Sequence, residues 1–506
     1  MCGGVLALIL VLSGALRWRL ASMPLERDEG EYAYMAQLLI DGVPPYSEAY
    51  GMKFPGIYIA YAIILSVFGE TDTAIRAGLI VVNSLSTILI FLLGRVIGGT
   101  STGLWAAAGY SVISLAPALQ GITANAEHFI LLPALGGALL VLCRPGLQGS
   151  FLGGVSFGLA LSVKQQGFAF AIFGMLWVVW RAMTAVEATM AWSVKWKRAG
   201  LSVGVHAGGI ALPGLLLCFW LWITDAYPNF RFWCFDYAAH YGSMWTWRDG
   251  LIHFWTGFGA FFRDHWPVLI AAGAGFVAMG RNDRHGGVFA GTFLLAGLFA
   301  TMPGLVFRPH YFLLLAPGLA LATGVGLAAL GRFSMIGLLA IGFPLAMQFR
   351  LLCLDDPESA CRRLYPHNAF VETRQVGRWL RESTPAGHRV AILGSEPQVF
   401  FYANRRSATP YLYMYPMLEP QPFARGLQQH LMDILQKSPP PHIVHVPVPT
   451  SWLVYPDSET ALLEWMLGFL REQYVQEHVV QIPDVVQVSD QPKVAPGREI
   501  AVYRLK

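Results

Sequence analysis

Charged residues are scarce in this sequence of 506 residues. They make up 13% of it, about half the share of roughly 25% that is typical of soluble domains. Hydrophobic residues reach 55%, and the mean hydropathy is +0.48. This balance excludes an ordinary soluble domain and predicts a polytopic membrane protein.

Other common features are also missing. The net charge is only +4, with the basic residues in short loops, so no nucleic-acid-binding face is predicted. The absence of a GxxxxGK[ST] motif argues against an ATP-driven pump. Six cysteines show no CxxC or metal spacing. A disulfide between Cys353 and Cys361 depends on whether that region faces an oxidising compartment.

Long apolar runs recur as far as about residue 352. A spanning helix needs about 20 mainly apolar residues, and the runs predict about 11 spans. The first run lacks a charged start and a small-residue cleavage site, so no removable signal peptide is predicted. The aromatic run at residues 55–68 predicts a helix lying at the membrane interface. The predicted spans are residues 4–20, 75–94, 103–120, 127–143, 149–163, 167–181, 200–223, 266–280, 287–306, 311–330 and 334–352.

Lysine and arginine in the short loops predict the orientation. With a cytoplasmic N-terminus, every predicted inner loop carries positive charge, as at Arg95 and Arg144. The outer basic residues cluster beside acidic or aromatic ones, as expected for anion binding. This orientation places the first outer loop, residues 21–74, and the C-terminal region on the extracytoplasmic side of a cell (inner or plasma) membrane.

After about residue 355 the composition changes, because polar residues and prolines become frequent. Short β-like runs at residues 388–393, 442–446 and 499–504 alternate with helical patterns at 371–382, 426–437 and 459–472. This alternation predicts a small α/β domain with a partly parallel sheet. The expected organisation is a transmembrane domain at 1–354 and an extracytoplasmic domain at 355–506.

The stretch at residues 27–53 concentrates charge in a chain that has little of it. Asp28 and Glu29 form a carboxylate pair that could accept a proton from an acceptor group, and they could equally cap a helix. Lys53, in GMKFPG, suits a lipid phosphate, and a snorkelling lysine at the membrane edge has the same pattern.

Ionisable residues recur at the predicted outer ends of later helices. Glu127 and His128 are flanked by apolar sequence, where ionisable groups tend to be functional, although a helix end capped by Asn125 is the plain alternative. Lys164 precedes two glutamines, and Arg308 precedes Tyr311. Both cations suit phosphate, and interfacial anchoring explains them as well. An aromatic-rich loop at residues 224–266 could be a lid over a sugar site.

Together these motifs resemble the GT-C superfamily of membrane glycosyltransferases, in the bacterial branch of protein O-mannosyltransferases and lipid A aminoarabinose transferases (family-39-like). The resemblance is carried by RDEGEYAYMAQLLIDGVPPY, GMKFPG, NAEHFILLP, the KxxG-like pattern at 164–167 and RPHYFLLLAP, and it extends to GSEPQVFFYANRRSATPYLY. It covers the chain to about residue 330. Such enzymes are multi-span proteins that transfer a sugar, with inversion, from a polyprenyl phosphate on the outer face.

The resemblance also implies roles for single residues. Asp28 matches the catalytic acid position, with Glu29 beside it, and Glu127 matches a second acidic position near the acceptor. Lys53 and Arg308 match residues that face the donor phosphate. Where aminoarabinose transferases have Glu before the lysine, this chain has Met52, so the acceptor stays open between a protein, a glycan and another lipid.

Three hypotheses follow. The first is a polyprenyl-phosphate-sugar-dependent transferase with Asp28 and Glu29 as catalytic residues. In it, Lys53, Lys164 and Arg308 bind the donor phosphate; the acceptor or sugar is bound by Glu127, His128 and Tyr311. The second is a transporter or flippase for a lipid-linked sugar, and the third makes the C-terminal domain a docking module for an assembly partner. No cofactor is predicted, and a need for a divalent metal stays open.

Overall fold

Helices dominate the first 354 residues of the computed structural model, which describes residues 2–184, 192–483 and 499–506. By length and composition, six helices in these ranges could cross a membrane, and four shorter apolar helices accompany them. The predicted fold class, a polytopic helical membrane protein with a C-terminal α/β domain, is confirmed. Fourteen α-helices lie in this part: α1 Cys2–Arg19, α2 Arg27–Ile40, α3 Pro55–Phe68, α4 Asp72–Leu115, α5 Ala126–Cys143, α6 Leu147–Val163, α7 Phe168–Thr184, α8 Trp192–Ile223, α9 Tyr227–Arg231, α10 Ala238–Tyr241, α11 Trp247–Asn282, α12 Arg284–Thr301, α13 Ala316–Ala328 and α14 Ser334–Met347.

Each predicted span coincides with helix in the structure, although the number of spans stays a prediction. The two spans expected at 75–94 and 103–120 are the halves of α4, which breaks at Gly98 and Gly99. Gly99 has φ +86, a backbone conformation that residues with a Cβ rarely adopt. The second half ends at Leu115, just before Pro117, because proline at that point cannot continue the helix.

The segment expected as a long aromatic loop at 224–266 is largely helical, so the expectation of a loop is wrong. α9, a π-helix at Phe232–Tyr237 and α10 follow one another, and α11 begins at Trp247, which is 19 residues before the predicted span at 266–280. A capping box formed by Thr246 and Asp249 starts α11. Hydropathy missed this start because the first turns of α11 contain polar residues.

The C-terminal region forms the predicted partly parallel sheet. The strands β1 (Val390–Leu393), β2 (His442–His445), β3 (Tyr474–Gln481) and β4 (Glu499–Leu505) follow the order β1-β2-β4-β3; β1 and β2 are parallel, and the other two pairs are antiparallel. The edge strand β3 was not expected, because it follows a predicted helix without a break and its sequence is polar. The elements are α15 Pro357–Leu364, α16 Phe370–Ser383, β1 Val390–Leu393, α17 Gln398–Ala403, α18 Tyr415–Leu418, α19 Ala424–Lys437, β2 His442–His445, α20 Ala461–Gln473, β3 Tyr474–Gln481 and β4 Glu499–Leu505.

The C-terminal domain is packed directly against the stretch that contains α2. A Cβ on Gly30 would collide with the backbone of Gln398, so only glycine allows this approach of α2 to the domain. The Tyr50 amide donates to the Pro410 carbonyl at 2.8 Å, and Arg27 pairs with Glu396 at 2.5 Å. The main hydrophobic cluster also contains residues from both sides of residue 355. Cys353 and Cys361 are free thiols.

Candidate active site

A cavity of about 680 Å³ lies between the two domains. Five of the eight residues predicted for the site line it: Asp28, Lys53, Lys164, Arg308 and Tyr311. The membrane-domain side comes from six places in the chain, namely the stretch at 26–53, Gln120, the turn at 164–166, the aromatic segment at 233–245, His253 and the segment at 303–311. The other side comes from the C-terminal domain. Folding therefore brings together groups that are hundreds of residues apart.

The start of α2 fixes the position of Asp28. The Glu26 carboxylate accepts hydrogen bonds from the amides of Asp28 and Glu29, both at 3.1 Å, and the Glu29 side chain accepts from the Glu26 amide at 3.2 Å. This reciprocal capping box closes the first turn of the helix. Within that turn, Asp28 lines the cavity, whereas Glu29 faces the core.

Asp28 lies in a small cluster of charged groups. Its Oδ1 is 3.3 Å from the Lys53 Nζ, and its Oδ2 is 4.0 Å from the His310 Nε2. Lys53 Nζ is also 3.4 Å from Glu31 Oε2. The Asp28 side chain keeps about 23% of its surface exposed, against 0% for Glu31. Of the two carboxylates that contact Lys53, Asp28 is therefore the one that a substrate can reach.

Burial opposes the ionisation of Asp28, but the Lys53 ammonium, together with His310 and Lys164, outweighs it, and the pKa of Asp28 lies well below its usual range. Burial likewise opposes the charge on Lys53, and Asp28 and Glu31 outweigh it, so the pKa of Lys53 is raised. By contrast, burial and the nearby Asp28 charge raise the pKa of Glu26 to about 8. At neutral pH the cavity thus presents Asp28 as a carboxylate beside an ammonium.

Glu31 is a site residue that the sequence analysis did not select. Its carboxylate accepts hydrogen bonds from Tyr58 at 2.6 Å and from Tyr413 of the C-terminal domain at 2.8 Å. A Cβ on Gly51 would collide with both Glu31 and Tyr58, so glycine at this position makes room for the carboxylate. The sequence contained a signal for Glu31, because residues three apart on a helix lie on the same face and Glu31 is three residues after Asp28.

Lys164 is held at the cavity by a carboxylate behind it. Its Nζ donates to Glu127 Oε1 at 2.6 Å and lies 4.4 Å from the centre of the Tyr311 ring. Burial opposes the charge on Lys164, but Glu127 and Tyr311 outweigh it and raise the pKa of Lys164. Glu127 is fully buried and does not line the cavity. This placement favours Glu127 as the partner of Lys164 over a direct contact to an acceptor.

Arg308 precedes a 3₁₀ helix at Pro309–Leu315 and is exposed toward the cavity. Within the described part of the chain, no carboxylate forms an ion pair with it. Its guanidinium is hydrogen-bonded to the Tyr241 side chain and has further N–H donors in a cavity that already contains Lys53 and Lys164. Guanidinium groups bind phosphate oxygens through two parallel hydrogen bonds, so this cation suits a phosphate ligand.

Glu29 and His128 lie outside the cavity. Glu29 is fully buried, pairs with Arg76 and accepts the Ala124 amide at 2.5 Å. His128 Nε2 is 3.1 Å from the Gly121 carbonyl oxygen, and its Nδ1 is 3.3 Å from Asn83 Nδ2. These contacts occupy both side chains. The geometry therefore supports structural roles for Glu29 and His128 instead of the expected catalytic and ligand-binding ones.

The C-terminal domain supplies site residues that sequence analysis also missed. The tyrosines of YLYMY alternate at 411, 413 and 415, and all three line the cavity together with Glu419 and Tyr455. The rings of Tyr413 and Tyr415 are stacked, with centroids 5.6 Å apart. No grouping of His, Cys, Asp and Glu that could hold a metal ion occurs among the described residues.

No protein-family model matches the chain, and no curated protein matches it. Several solved structures are similar to the chain. ArnT from Cupriavidus metallidurans bound to undecaprenyl phosphate has a TM-score of 0.57 at 14% identity, over 98% of this chain and 97% of that one. The same protein in the apo state gives 0.56 at 14% identity, over 99% and 98% of the two chains.

A second kind of neighbour is the archaeal oligosaccharyltransferase AglB from Archaeoglobus fulgidus, in complex with an inhibitory peptide and a dolichol-phosphate. Its TM-score is 0.50 at 12% identity, over 88% of this chain and 70% of that one. Both neighbours are GT-C membrane glycosyltransferases. At these identities the likeness shows the fold. The chain has the GT-C fold, as the sequence resemblance implied.

Proposed function

We propose that this protein is an inverting glycosyltransferase that moves a sugar from a polyprenyl-phosphate donor to an acceptor on the outer face of the membrane. The observation that carries the proposal is the reachable Asp28 carboxylate, 3.3 Å from Lys53 in a cavity that Lys164 and Arg308 also line. A base and several cations in one cavity are what transfer from a phosphate leaving group requires.

The chemistry assigns one step to each group. An acceptor hydroxyl or amine attacks the anomeric carbon, the bond from that carbon to the phosphate oxygen breaks, and Asp28 takes the proton of the acceptor. Lys53, Lys164 and Arg308 offset the charge that develops on the departing lipid phosphate. An anionic donor beside Lys53 also weakens the effect of that ammonium on Asp28, so donor binding raises the pKa of Asp28 and makes it a better base.

The ligands of the structural neighbours support a lipid-linked donor, since one is bound to undecaprenyl phosphate and the other to a dolichol-phosphate. The positive-inside pattern supports the placement of the cavity on the extracytoplasmic side of a cell membrane. Arg95 and Arg144, which are predicted to lie inside, line a separate surface groove that shares no residue with the cavity. Tyr311, whose ring packs on Lys164, is assigned to sugar binding.

The test is Asp28→Asn in the full-length protein, reconstituted in vesicles with a polyprenyl-phosphate sugar and an envelope glycan extract as acceptor. We expect insertion and folding to be retained and transfer to be lost, because an amide cannot accept the proton. The matched control is Asp41→Asn, in the same stretch but half-exposed and outside the cavity. Asp41→Asn should transfer sugar at the wild-type rate.

Wild-type turnover by Asp28→Asn would contradict the assignment of the base. Movement of the lipid-linked sugar across the vesicle bilayer without any transfer would instead support the transport alternative. Survival of full activity after deletion of residues 355–506 would support the docking-module alternative.

A further inference from the structure

The two sides of the cavity differ in their chemistry. The side from the membrane domain contains Lys53, Lys164 and Arg308, whereas the lining residues after residue 355 include no lysine or arginine. Those residues are mostly aromatic or hydroxyl-bearing, with one carboxylate, Glu419. No lining cation comes from that side, and the Arg27 guanidinium, which lies 5.6 Å from the centre of the Tyr415 ring, is already paired with Glu396. The side formed by the C-terminal domain therefore suits an uncharged part of a substrate.

Glu419 follows α18 and is held in one orientation. Its amide donates to the Tyr415 carbonyl at 2.8 Å, and its Oε2 accepts a short hydrogen bond from Tyr237 of the π-helix. No described residue donates a hydrogen bond to Oε1 or forms an ion pair with the carboxylate. Glu419 thus offers an acceptor atom without a protein partner in the lining of the cavity.

Aromatic rings surround the same part of the cavity. Tyr415 stacks with Tyr413, and the ring of Tyr455 lies 6.3 Å from that of Trp245, which belongs to the membrane domain. All four line the cavity. Ring faces next to a few placed polar groups orient a ligand that has both apolar faces and polar edges. A sugar ring has this character, because its C–H faces are apolar and its hydroxyls donate hydrogen bonds.

We propose that Glu419, oriented by Tyr237 and accompanied by the rings of Tyr415 and Tyr455, binds the hydroxyl groups of a neutral sugar ring. This deepens the proposed function and rests on it for the identity of the reaction. The ring is either the one that is transferred or part of a glycan acceptor. The shared chemistry is a hydroxyl-rich ring that donates to a carboxylate, and a peptide is the competing ligand.

The experiment measures binding directly, so it does not depend on transfer. Saturation-transfer-difference NMR follows methyl α-mannoside, methyl β-glucoside and methyl α-arabinoside with the full-length protein in detergent micelles. We expect binding of at least one glycoside, weakened about tenfold in Glu419→Gln, because the amide has one oxygen where the carboxyl group has two, so Tyr237 and the sugar compete for a single acceptor. Tyr455→Leu, on a separate segment, should weaken the same glycoside if Glu419→Gln fails to fold.

The matched control is Glu472→Gln, an exposed carboxylate of the same domain that does not line the cavity. It should bind the glycoside as the wild type does. Equal binding by the wild type and Glu419→Gln would overturn the inference, as would no glycoside binding at all. Binding of an acetylated tetrapeptide that displaces the glycoside would also overturn it and favour a peptide acceptor.

The kinetic arm separates the two sources of the ring. If Glu419→Gln raises the KM of the polyprenyl-phosphate sugar, the bound ring is the transferred one; if it raises the KM of the glycan acceptor, the ring belongs to the acceptor. If no transfer is found but glycoside binding depends on Glu419, the sugar subsite stands and the proposed reaction fails.

Discussion

The two faces of α2 carry neighbouring carboxylates in opposite surroundings. On the cavity face, Asp28 keeps 23% of its side chain exposed beside Lys53. On the core face, Glu29 is fully buried against Arg76, the cap of the helix and the Ala124 amide. Similar chemistry on the two faces therefore has different consequences. On the cavity face, a substrate can replace one member of the Asp28–Lys53 pair. On the core face, the Glu29–Arg76 pair stabilises the helix end that positions Asp28.

The largest expected effect is on the core face. Glu29→Gln should lower the free energy of unfolding by about 3–5 kcal/mol, because it leaves the buried Arg76 guanidinium without its counter-charge. Unfolding by sodium dodecyl sulfate in mixed micelles measures it. The exposed pair between Asp41 and Arg406 is the control, and Asp41→Asn should cost less than about 1 kcal/mol. Equal stability of Glu29→Gln and the wild type would remove the contrast between the two faces.

On the cavity face, a change of charge should affect activity more than stability. Lys53→Met should lower kcat/KM for the polyprenyl-phosphate sugar by about 10²–10³, which corresponds to roughly 3–4 kcal/mol of lost transition-state stabilisation. Steady-state kinetics in vesicles measure it. Lys506→Met, which replaces an exposed lysine remote from the cavity, is the control. A tenfold loss or less would indicate that Lys53 does not contact the departing phosphate.

A smaller effect is expected across the domain interface. Tyr413→Phe keeps the ring but removes the hydroxyl that donates to Glu31 at 2.8 Å. We expect a loss of roughly tenfold in kcat/KM, equivalent to about 1.4 kcal/mol, because Glu31 then holds Lys53 less firmly. The acid limb of the pH profile of kcat/KM should also shift in Tyr413→Phe. A purely structural role of Tyr413 would not cause this shift. An unchanged profile would place Tyr413 outside the catalytic cluster.

The smallest effect at neutral pH concerns the titration of Asp28. Its pKa is lowered, so kcat/KM of the wild type should stay flat as pH falls to about 5, above the usual aspartate pKa of about 3.9. Because folding lowers the pKa of Asp28, its ionisation stabilises the folded state above about pH 3.9. This stabilisation is lost as the pH falls further and Asp28 is protonated. In Lys53→Gln the acid limb should move to higher pH. An acid limb at the same pH in both proteins would contradict the coupling.

Much of the fold could be predicted from the sequence because apolar length and loop charge report directly on a membrane. The break in α4 lies between two expected spans, and the strands β1, β2 and β4 coincide with the expected segments to within two residues. The start of α11 was missed because its first turns are amphipathic, and β3 because it continues from a helix with polar residues. In both places tertiary packing decides the local structure, and single-residue hydropathy does not record it.

The site was predicted in part for the same reason. Asp28, Lys53 and Lys164 stood out as charges in apolar surroundings, and each lines the cavity. Glu29 stood out equally, yet a helical turn of about 100° per residue directs it to the core. Tyr413 and Glu419 carried no such signal, since hydroxyls and carboxylates are ordinary in a polar domain.

The sequence by itself determined that this protein is a multi-span membrane protein with a C-terminal α/β domain, because hydrophobic length and composition are properties of contiguous residues. Only the tertiary structure decided which charges meet. Contacts such as those of Lys53 with Asp28, of Lys164 with Glu127 and of Tyr413 with Glu31 join residues 25, 37 and 382 positions apart. Such contacts depend on the path of the whole chain, and the cavity between the domains exists only after that path is complete.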